Sequence, residues 1–144
     1  MILKERNLEE TVEEYLTKAS GEYRRGTDST YNLEYMLDVG TFIEFITTSQ
    51  PQAWKKYQAI YGQSSEESLA KRLRKEIDTK GLVEVLRKGI KDRGIDFAVA
   101  YYRPETSFNS DSKRQYDCNI LTCVRQFHYS KSNRNSIDMV LLLN

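Results

Sequence analysis

The sequence predicts an α/β domain of the α+β type, with helices first along the chain and strands last. Up to residue 94, apolar residues recur at helical spacing between polar or glycine-containing breaks. From residue 95 the chain is richer in β-branched and aromatic residues, in short runs separated by polar turns. Since 144 residues are enough for one buried core, we expect 1–144 to form a single domain with N-terminal helices packed on a mixed sheet.

The predicted helices are placed by caps and apolar stripes. Asn7 is expected as the first N-cap, with Glu10 completing a capping box, and Ser64 with Glu67 forms a second box. Pro51 is expected to open a helix. The expected helical segments are 7–21, 33–50 (as one or two helices around Gly40), 51–62, 64–81 and 82–94. The apolar stripe of the first helix, expected to face the core, comprises Leu8, Val12, Tyr15, Leu16 and Ala19.

The predicted strands cover 96–102, 117–129 and 136–143, and the last of them contains an unexpected acid. In "NSIDMVLLLN" both faces of the strand are apolar beyond the first pair, which indicates a central strand covered on both sides. A carboxylate at Asp138 would there need a partner, a proton or a metal. Two interpretations stay open: Asp138 caps the preceding turn, or it binds a hard divalent cation.

The bulk composition is that of a soluble globular protein. The chain is 39% apolar and 30% charged, and no run approaches the ~20 apolar residues of a membrane span. The N-terminus lacks the apolar region of a signal peptide, so we expect a cytoplasmic protein without a membrane partner. Cys118 and Cys123 do not form a CxxC pair and are expected to be reduced thiols.

Charge is unevenly distributed although the net charge is only +1. Residues 1–22 carry three basic and six acidic side chains, whereas residues 69–93 carry nine basic and four acidic ones. The second segment predicts a positive helical surface, which either meets phosphates or is simply solvated.

Three stretches carry a resemblance to a known family: "FIEFITTSQPQAWKKYQAIYG", "LVEVLRKGIKDRGIDFAVAYYRP" and "QFHYSKSNRNSIDMVLLLN". The chain resembles the N-terminal endonuclease domain of the restriction (R) subunit of type I restriction–modification enzymes, from about Leu8 to Asn144. The resemblance implies a restriction-endonuclease-like fold and a PD-(D/E)xK nuclease centre. Asp138 matches the family's first metal-binding Asp, although Ser136-Ile137 stands where many nucleases have Pro.

The activity implied by this resemblance belongs to the whole subunit, a type I site-specific deoxyribonuclease. It would cleave unmodified double-stranded DNA with Mg²⁺, use ATP, and work with methyltransferase and specificity subunits. ATP is not expected to bind this chain, because no GxxxxGK[ST] loop is present. In the family a second strand bears Glu-x-Lys, and none follows Asp138 here, so the isolated fragment is expected to be inactive. The alternative is a non-catalytic DNA-binding or subunit-docking module.

The resemblance also implies a second acid on the first helix. At ~100° per residue, Glu9 lies on the flank of the apolar stripe, whereas Glu10, Glu13 and Glu14 lie further from it. Glu9 is therefore the candidate, and a solvated helix carboxylate is the alternative.

Basic residues flank the strand that carries the acid and are candidates for binding DNA phosphates: Arg125, Lys131 and Arg134. Solvated turn charges are the alternative. The sole histidine, His128, is expected to be structural.

Overall fold

A computed structural model describes residues 2–106, 108–130, 132 and 134–144, with side chains described from residue 7 onwards. The helices are α1 (Ile2–Glu14, continued by a π-helical turn over Tyr15–Ala19), α2 (Val39–Ser49), α3 (Pro51–Tyr61), α4 (Ser65–Lys80), α5 (Leu82–Lys88) and α6 (Ser110–Asp117). The strands are β1 (Tyr23–Gly26), β2 (Ile90–Asp92), β3 (Ile95–Phe97), β4 (Leu121–His128) and β5 (Ser136–Leu143). Short 3-10 turns cover Asp28–Thr30 and Gly62–Ser64. The chain is thus a mixed α and β protein, as the sequence predicts.

The main sheet is small and mixed, with the strand order β1-β4-β5. β1 is parallel to β4, with Tyr23 opposite Leu121, and β5 is antiparallel to β4, with Val124 opposite Val140. β2 and β3 form a separate antiparallel hairpin. Because β4 is the middle strand, β5 is an edge of the described sheet, and the expectation of a central, doubly covered strand is wrong.

The buried core lies among the helices and the β2–β3 hairpin. Asp38 caps α2, accepting a hydrogen bond from the Thr41 amide, and Pro51 opens α3 as expected. The core side chains are Phe42, Ile43, Phe45, Ile46, Trp54, Tyr57, Leu69, Leu73, Val85, Ile90, Phe97 and Val99. Buried positions recur every three or four residues along α2 to α4, which explains why these helices are predictable from apolar spacing.

The sheet is tied to this core by side-chain amides at its end. The Asn144 amide donates to the Val99 carbonyl at 3.0 Å and accepts from the Ile120 amide at 2.6 Å. Asn119 makes two hydrogen bonds to the backbone of Tyr101. These bonds satisfy partly buried backbone groups where the two parts of the domain meet.

Several local expectations are corrected by the structure. α1 begins at Ile2, so Asn7 is inside it and is not its N-cap. Ser64 makes no capping bond and donates instead to the Tyr61 carbonyl. The helix expected to reach residue 94 ends at Lys88, because Gly89 turns the chain at a φ of +73°. A Cβ at Gly89 would lie 2.2 Å from the Phe97 carbonyl oxygen, so only glycine lets the hairpin pack there.

Two elements arise in segments for which the sequence predicts neither a helix nor a strand. β1 lies in "EYRRGTDSTYN", and α6 follows Asn109, whose side chain accepts from the amides of Asp111 and Ser112. The predicted strand over 96–102 is reduced to β3, while β5 has the predicted bounds. Both cysteines are free thiols, as expected. Among the described residues, no helix has both the length and the apolar character needed to cross a bilayer.

Candidate active site at one end of the sheet

The face of α1 that packs on the sheet carries carboxylates and not the apolar stripe. Glu13 is buried and Glu9 is partly buried, whereas Leu8, Val12 and Tyr15 are exposed. The expectation that the stripe faces the core is therefore wrong for this helix. The sheet offers arginines on this face, and paired charges compensate one another when they are removed from water.

Arg125 of β4 is the centre of this charged layer. Its guanidinium lies 3.4 Å from Glu9 Oε2 and 3.9 Å from Glu13 Oε1. Arg25 of β1 approaches Glu13 Oε1 at 2.9 Å. The side chain of Arg125 is only 23% exposed and that of Glu13 only 9%. Arg125 already pairs with two carboxylates. It could bind a DNA phosphate only by giving up its contacts with Glu9 and Glu13.

Gln126 connects Glu9 to the neighbouring strand. Its Nε2 donates to both carboxylate oxygens of Glu9, at 3.1 and 3.2 Å, while its Oε1 accepts from the Ser136 hydroxyl at 2.9 Å. The backbone of Gln126 has a φ of +51°, which a residue with a Cβ rarely adopts. Backbone strain of this kind is concentrated at functional sites. The side-chain amide of Gln126 also forms hydrogen bonds through both its nitrogen and its oxygen.

Asp138 lies opposite Gln126 in the register of β4 and β5. It is exposed as the third residue of β5, and its carboxylate has no hydrogen bond or ion pair with any residue in the described part of the chain. The expected desolvation cost is absent because the side chain of Asp138 is exposed and its sheet face is not covered at this position. The capping interpretation is not seen, since Asp138 contacts no amide of the preceding turn among those described.

The two predicted acids meet the same end of the sheet from opposite faces. Glu9 contacts Arg125, whose strand partner is Met139. Because side chains alternate along a strand, Asp138 and its neighbour Met139 point to opposite faces. The structure therefore brings Glu9 and Asp138 to neighbouring positions without placing their carboxylates together.

The described residues do not complete a magnesium site. Mg²⁺ prefers six oxygen ligands in octahedral geometry and usually takes one or two carboxylates plus water and phosphate. Asp138 offers one free carboxylate, while both oxygens of Glu9 are already occupied. No three His, Cys, Asp or Glu side chains come together as metal ligands within the described ranges.

A second polar pair, missed by sequence reasoning, lies at the same end. Asp28 Oδ2 is 2.6 Å from His128 Nδ1 and accepts from the His128 amide at 2.9 Å. The bond from the His128 amide, which contributes most, and the bond with the imidazole hold the pKa of the Asp28 carboxyl below its ordinary value. His128 is paired with Ser136 across the ladder. The pair spans 100 residues of sequence, so no local pattern indicated it.

The other two predicted phosphate-binding residues make no contact that defines a site. Lys131 lies outside the described residues, and Arg134 is exposed two residues before β5. On the basic 69–93 segment, most charges are matched by acids one helical turn away. The pairs are Lys71–Glu67, Arg72–Glu76, Arg74–Asp78, Lys80–Glu76 and Lys88–Glu84. This pairing favours the solvated-face interpretation over a phosphate-binding surface.

Comparison of the chain with protein families, with curated proteins and with solved structures gives no match.

Proposed function

We propose that the chain is the front part of a metal-dependent DNA endonuclease domain, of the kind found in type I restriction subunits. The observation that carries the proposal is the placement of Asp138. It is an exposed carboxylate, the third residue of β5, without a hydrogen bond or ion pair to any described residue. It lies opposite a backbone-strained Gln126 that holds the second candidate acid, Glu9. The sequence resemblance selects Asp138 and implies a second acid on the first helix, where helix geometry favours Glu9. It also implies the finer restriction-endonuclease-like fold.

Catalysis would require ligands beyond those described. One free carboxylate does not hold Mg²⁺ by itself, and the resemblance assigns the remaining donors to a Glu-x-Lys strand after Asp138. In the complete subunit, ATP-driven translocation and the methyltransferase and specificity partners would belong to other parts of the system. The 144-residue chain alone is therefore proposed to be catalytically silent.

The decisive experiment substitutes Asp138→Ala in the complete subunit, assembled with its partners on unmodified double-stranded DNA. The expected result is a loss of cleavage by about 100-fold or more, with ATP hydrolysis retained. Asp96→Ala is the matched control, because Asp96 is an exposed acid on the distant β3 and its loss should leave cleavage unchanged. Wild-type cleavage by the Asp138→Ala enzyme would refute the proposal.

The isolated chain gives a second test. Incubated with DNA and Mg²⁺, it should produce no cleavage above background. A Mg²⁺-dependent cut that Asp138→Ala abolishes would show that the described residues suffice for catalysis. The gene sequence after Asn144 is a further check, since a Glu-x-Lys strand is expected shortly downstream.

A further inference from the structure

The pair formed by Asp28 and His128 includes a bond that is not needed to hold the backbone in place. Asp28 is the first residue of the 3-10 turn Asp28–Thr30, and His128 is the last residue of β4. The turn is already attached to β4 by the His128 amide, which donates to Asp28 Oδ2. It is attached a second time by Tyr31, whose ring meets that of Phe127 edge to face at 4.8 Å. The bond between the imidazole and Asp28 is therefore additional to these contacts.

The Asp28 carboxylate determines which nitrogen of the imidazole carries the proton. The pKa of Asp28 is lowered, so its carboxyl is ionised at neutral pH and can only accept hydrogen bonds. Its Oδ2 lies 2.6 Å from His128 Nδ1, and Nδ1 is therefore the donor. In the neutral ring the proton is then on Nδ1 and the lone pair is on Nε2.

The other nitrogen of the His128 ring is available to a ligand. The side chain of His128 is 51% exposed, and its Nε2 makes no hydrogen bond to a residue within the described ranges. An imidazole with Nδ1 held by a carboxylate and Nε2 open is arranged to take a proton from a hydroxyl group or a water. Asp28 thus sets both the tautomer and the orientation that proton transfer requires.

His128 and Asp138 are near each other in the β4–β5 ladder. His128 is opposite Ser136, and Ser136 shares a face of β5 with Asp138 because the two are two residues apart. Diagonal neighbours of this kind are separated by roughly 7–8 Å between their Cα atoms. A phosphate group and an attacking water can occupy a gap of this size between the imidazole and the carboxylate.

The two candidate acids leave the part of a general base unfilled. Both carboxylate oxygens of Glu9 accept from Gln126, and Asp138 is the candidate metal ligand. Neither carboxylate is therefore available to take a proton from water, whereas Nε2 of His128 is.

We propose that His128 is the general base of DNA cleavage and that Asp28 is the residue that positions it, an inference that rests on the nuclease function proposed above. His128 Nε2 takes a proton from a water molecule while the water oxygen forms a bond to the phosphorus of a phosphodiester. The bond from phosphorus to the leaving sugar oxygen breaks, and that oxygen takes a proton from solvent. The imidazolium, stabilised by the Asp28 carboxylate, then returns its proton to solvent.

His128→Asn is the decisive variant, because it separates the bond to Asp28 from the base. The asparagine amide nitrogen takes the place of Nδ1 and can donate to Asp28, whereas nothing takes the place of Nε2. In the complete subunit, assembled with its partners on unmodified double-stranded DNA, His128→Asn should cleave at least about 100-fold more slowly than wild type. ATP hydrolysis should be unchanged, and the 144-residue chain with this substitution should unfold at the wild-type temperature.

Added imidazole tests the proton transfer directly. His128→Ala removes an exposed ring, so free imidazole should enter its place and raise the cleavage rate of this variant at least about tenfold. Asp138→Ala is the matched control, because imidazole does not replace a carboxylate and should leave that variant inactive. Asp28→Asn should also slow cleavage, since an asparagine amide that donates to Nδ1 moves the imidazole proton to Nε2.

A purely structural pair predicts the opposite results. His128→Asn would then cleave at the wild-type rate, and imidazole would leave His128→Ala unchanged; either result would overturn the assignment of His128. This outcome is distinguishable from failure of the nuclease proposal. If Asp138→Ala abolishes cleavage and His128→Asn does not, only the base is wrongly assigned, whereas wild-type cleavage by Asp138→Ala refutes the nuclease proposal itself.

Discussion

Gln126 and Asp138 occupy opposite positions in the β4–β5 register, yet no ladder pairing forms between them, whereas the positions on either side are paired. The cause lies in Gln126, whose φ of +51° turns its peptide out of the ladder. Its side chain compensates by bonding Glu9 and Ser136. The interruption leaves Asp138 exposed beside a distorted backbone.

Substitutions at Gln126 should separate its backbone strain from its side-chain bonds. Gln126→Ala and Gln126→Gly both remove the bonds, but only glycine adopts a positive φ without strain. The glycine variant should be more stable than the alanine variant by about 1 kcal/mol. The order should reverse at the exposed Ile137, where alanine should be favoured by about 0.5–1 kcal/mol. Urea unfolding measures all four variants, and equal stability of the two Gln126 variants would contradict the strain.

Removing Arg125 should destabilise the chain strongly, because it leaves Glu9 and Glu13 together without a cation. Breaking a buried ion pair costs about 3–5 kcal/mol, and partial exposure reduces our expectation for Arg125→Met to about 2 kcal/mol. Arg24→Met is the matched control. Its pair with Glu44 is exposed, so its loss should cost less than about 1 kcal/mol.

The unfolding free energies of both arginine variants should be compared at neutral pH. Adding Glu13→Gln to Arg125→Met should recover part of the loss, because one uncompensated carboxylate is removed. Equal costs for Arg125→Met and Arg24→Met would show that the charged layer under α1 contributes no more than a surface pair.

Local patterns predicted the elements whose apolar residues face the helical core. α3 and β5 appear where Pro51 and the apolar run placed them, whereas α2 begins only at Val39, inside the predicted segment 33–50. β1 was missed because its stability comes from parallel pairing with β4, almost 100 residues away, and not from strand-forming residues of its own. α6 carried a usable signal in Asn109, the side chain that caps it.

The candidate site was predicted only in part, because local patterns in the sequence mark some of its residues and not others. Asp138 stood out because an acid in an apolar strand is visible in the sequence alone. The orientation of α1 was not predictable, because it depends on Arg25 and Arg125 meeting Glu13 from two different strands. The pairing of Asp28 with His128 likewise arises only when the 3-10 turn after β1 folds against the end of β4.

Asp28 should make the stability of the protein depend on acid pH. Its pKa is lowered in the folded state, first by the bond from the His128 amide and then by the imidazole. Such a carboxylate stabilises the fold above its unfolded pKa, and this contribution is lost as the pH falls through the folded pKa. The cost of Asp28→Asn, about 1 kcal/mol at neutral pH, should therefore shrink between about pH 5 and about pH 2.

His128→Ala separates the two causes of the Asp28 shift, since it removes the imidazole and keeps the backbone amide. Most of the pH dependence should survive in His128→Ala, measured as unfolding free energy against pH. Complete loss of the pH dependence would assign the effect to the imidazole and contradict the larger contribution of the backbone amide.

Among the polar residues at the junction of sheet and helical core, Asn144 should cost the most unfolding free energy when it is substituted. Asn144→Ala leaves the Ile120 amide and the Val99 carbonyl without partners, and each unsatisfied buried group costs about 1–3 kcal/mol. We expect a total loss of about 3 kcal/mol in unfolding free energy. Asn144→Asp keeps an acceptor for Ile120 but loses the donor to Val99, so it should recover only part of the loss.

The matched control is Asn7→Ala on the exposed surface of α1. An N-cap asparagine would cost about 1 kcal/mol, whereas a residue inside the helix should cost less than about 0.5 kcal/mol. The same measurement thus tests the position of the helix start. A small cost for Asn144→Ala, similar to that of Asn7→Ala, would mean that water reaches the junction and replaces the amide, so the sheet and the helical core would be held together by apolar packing alone.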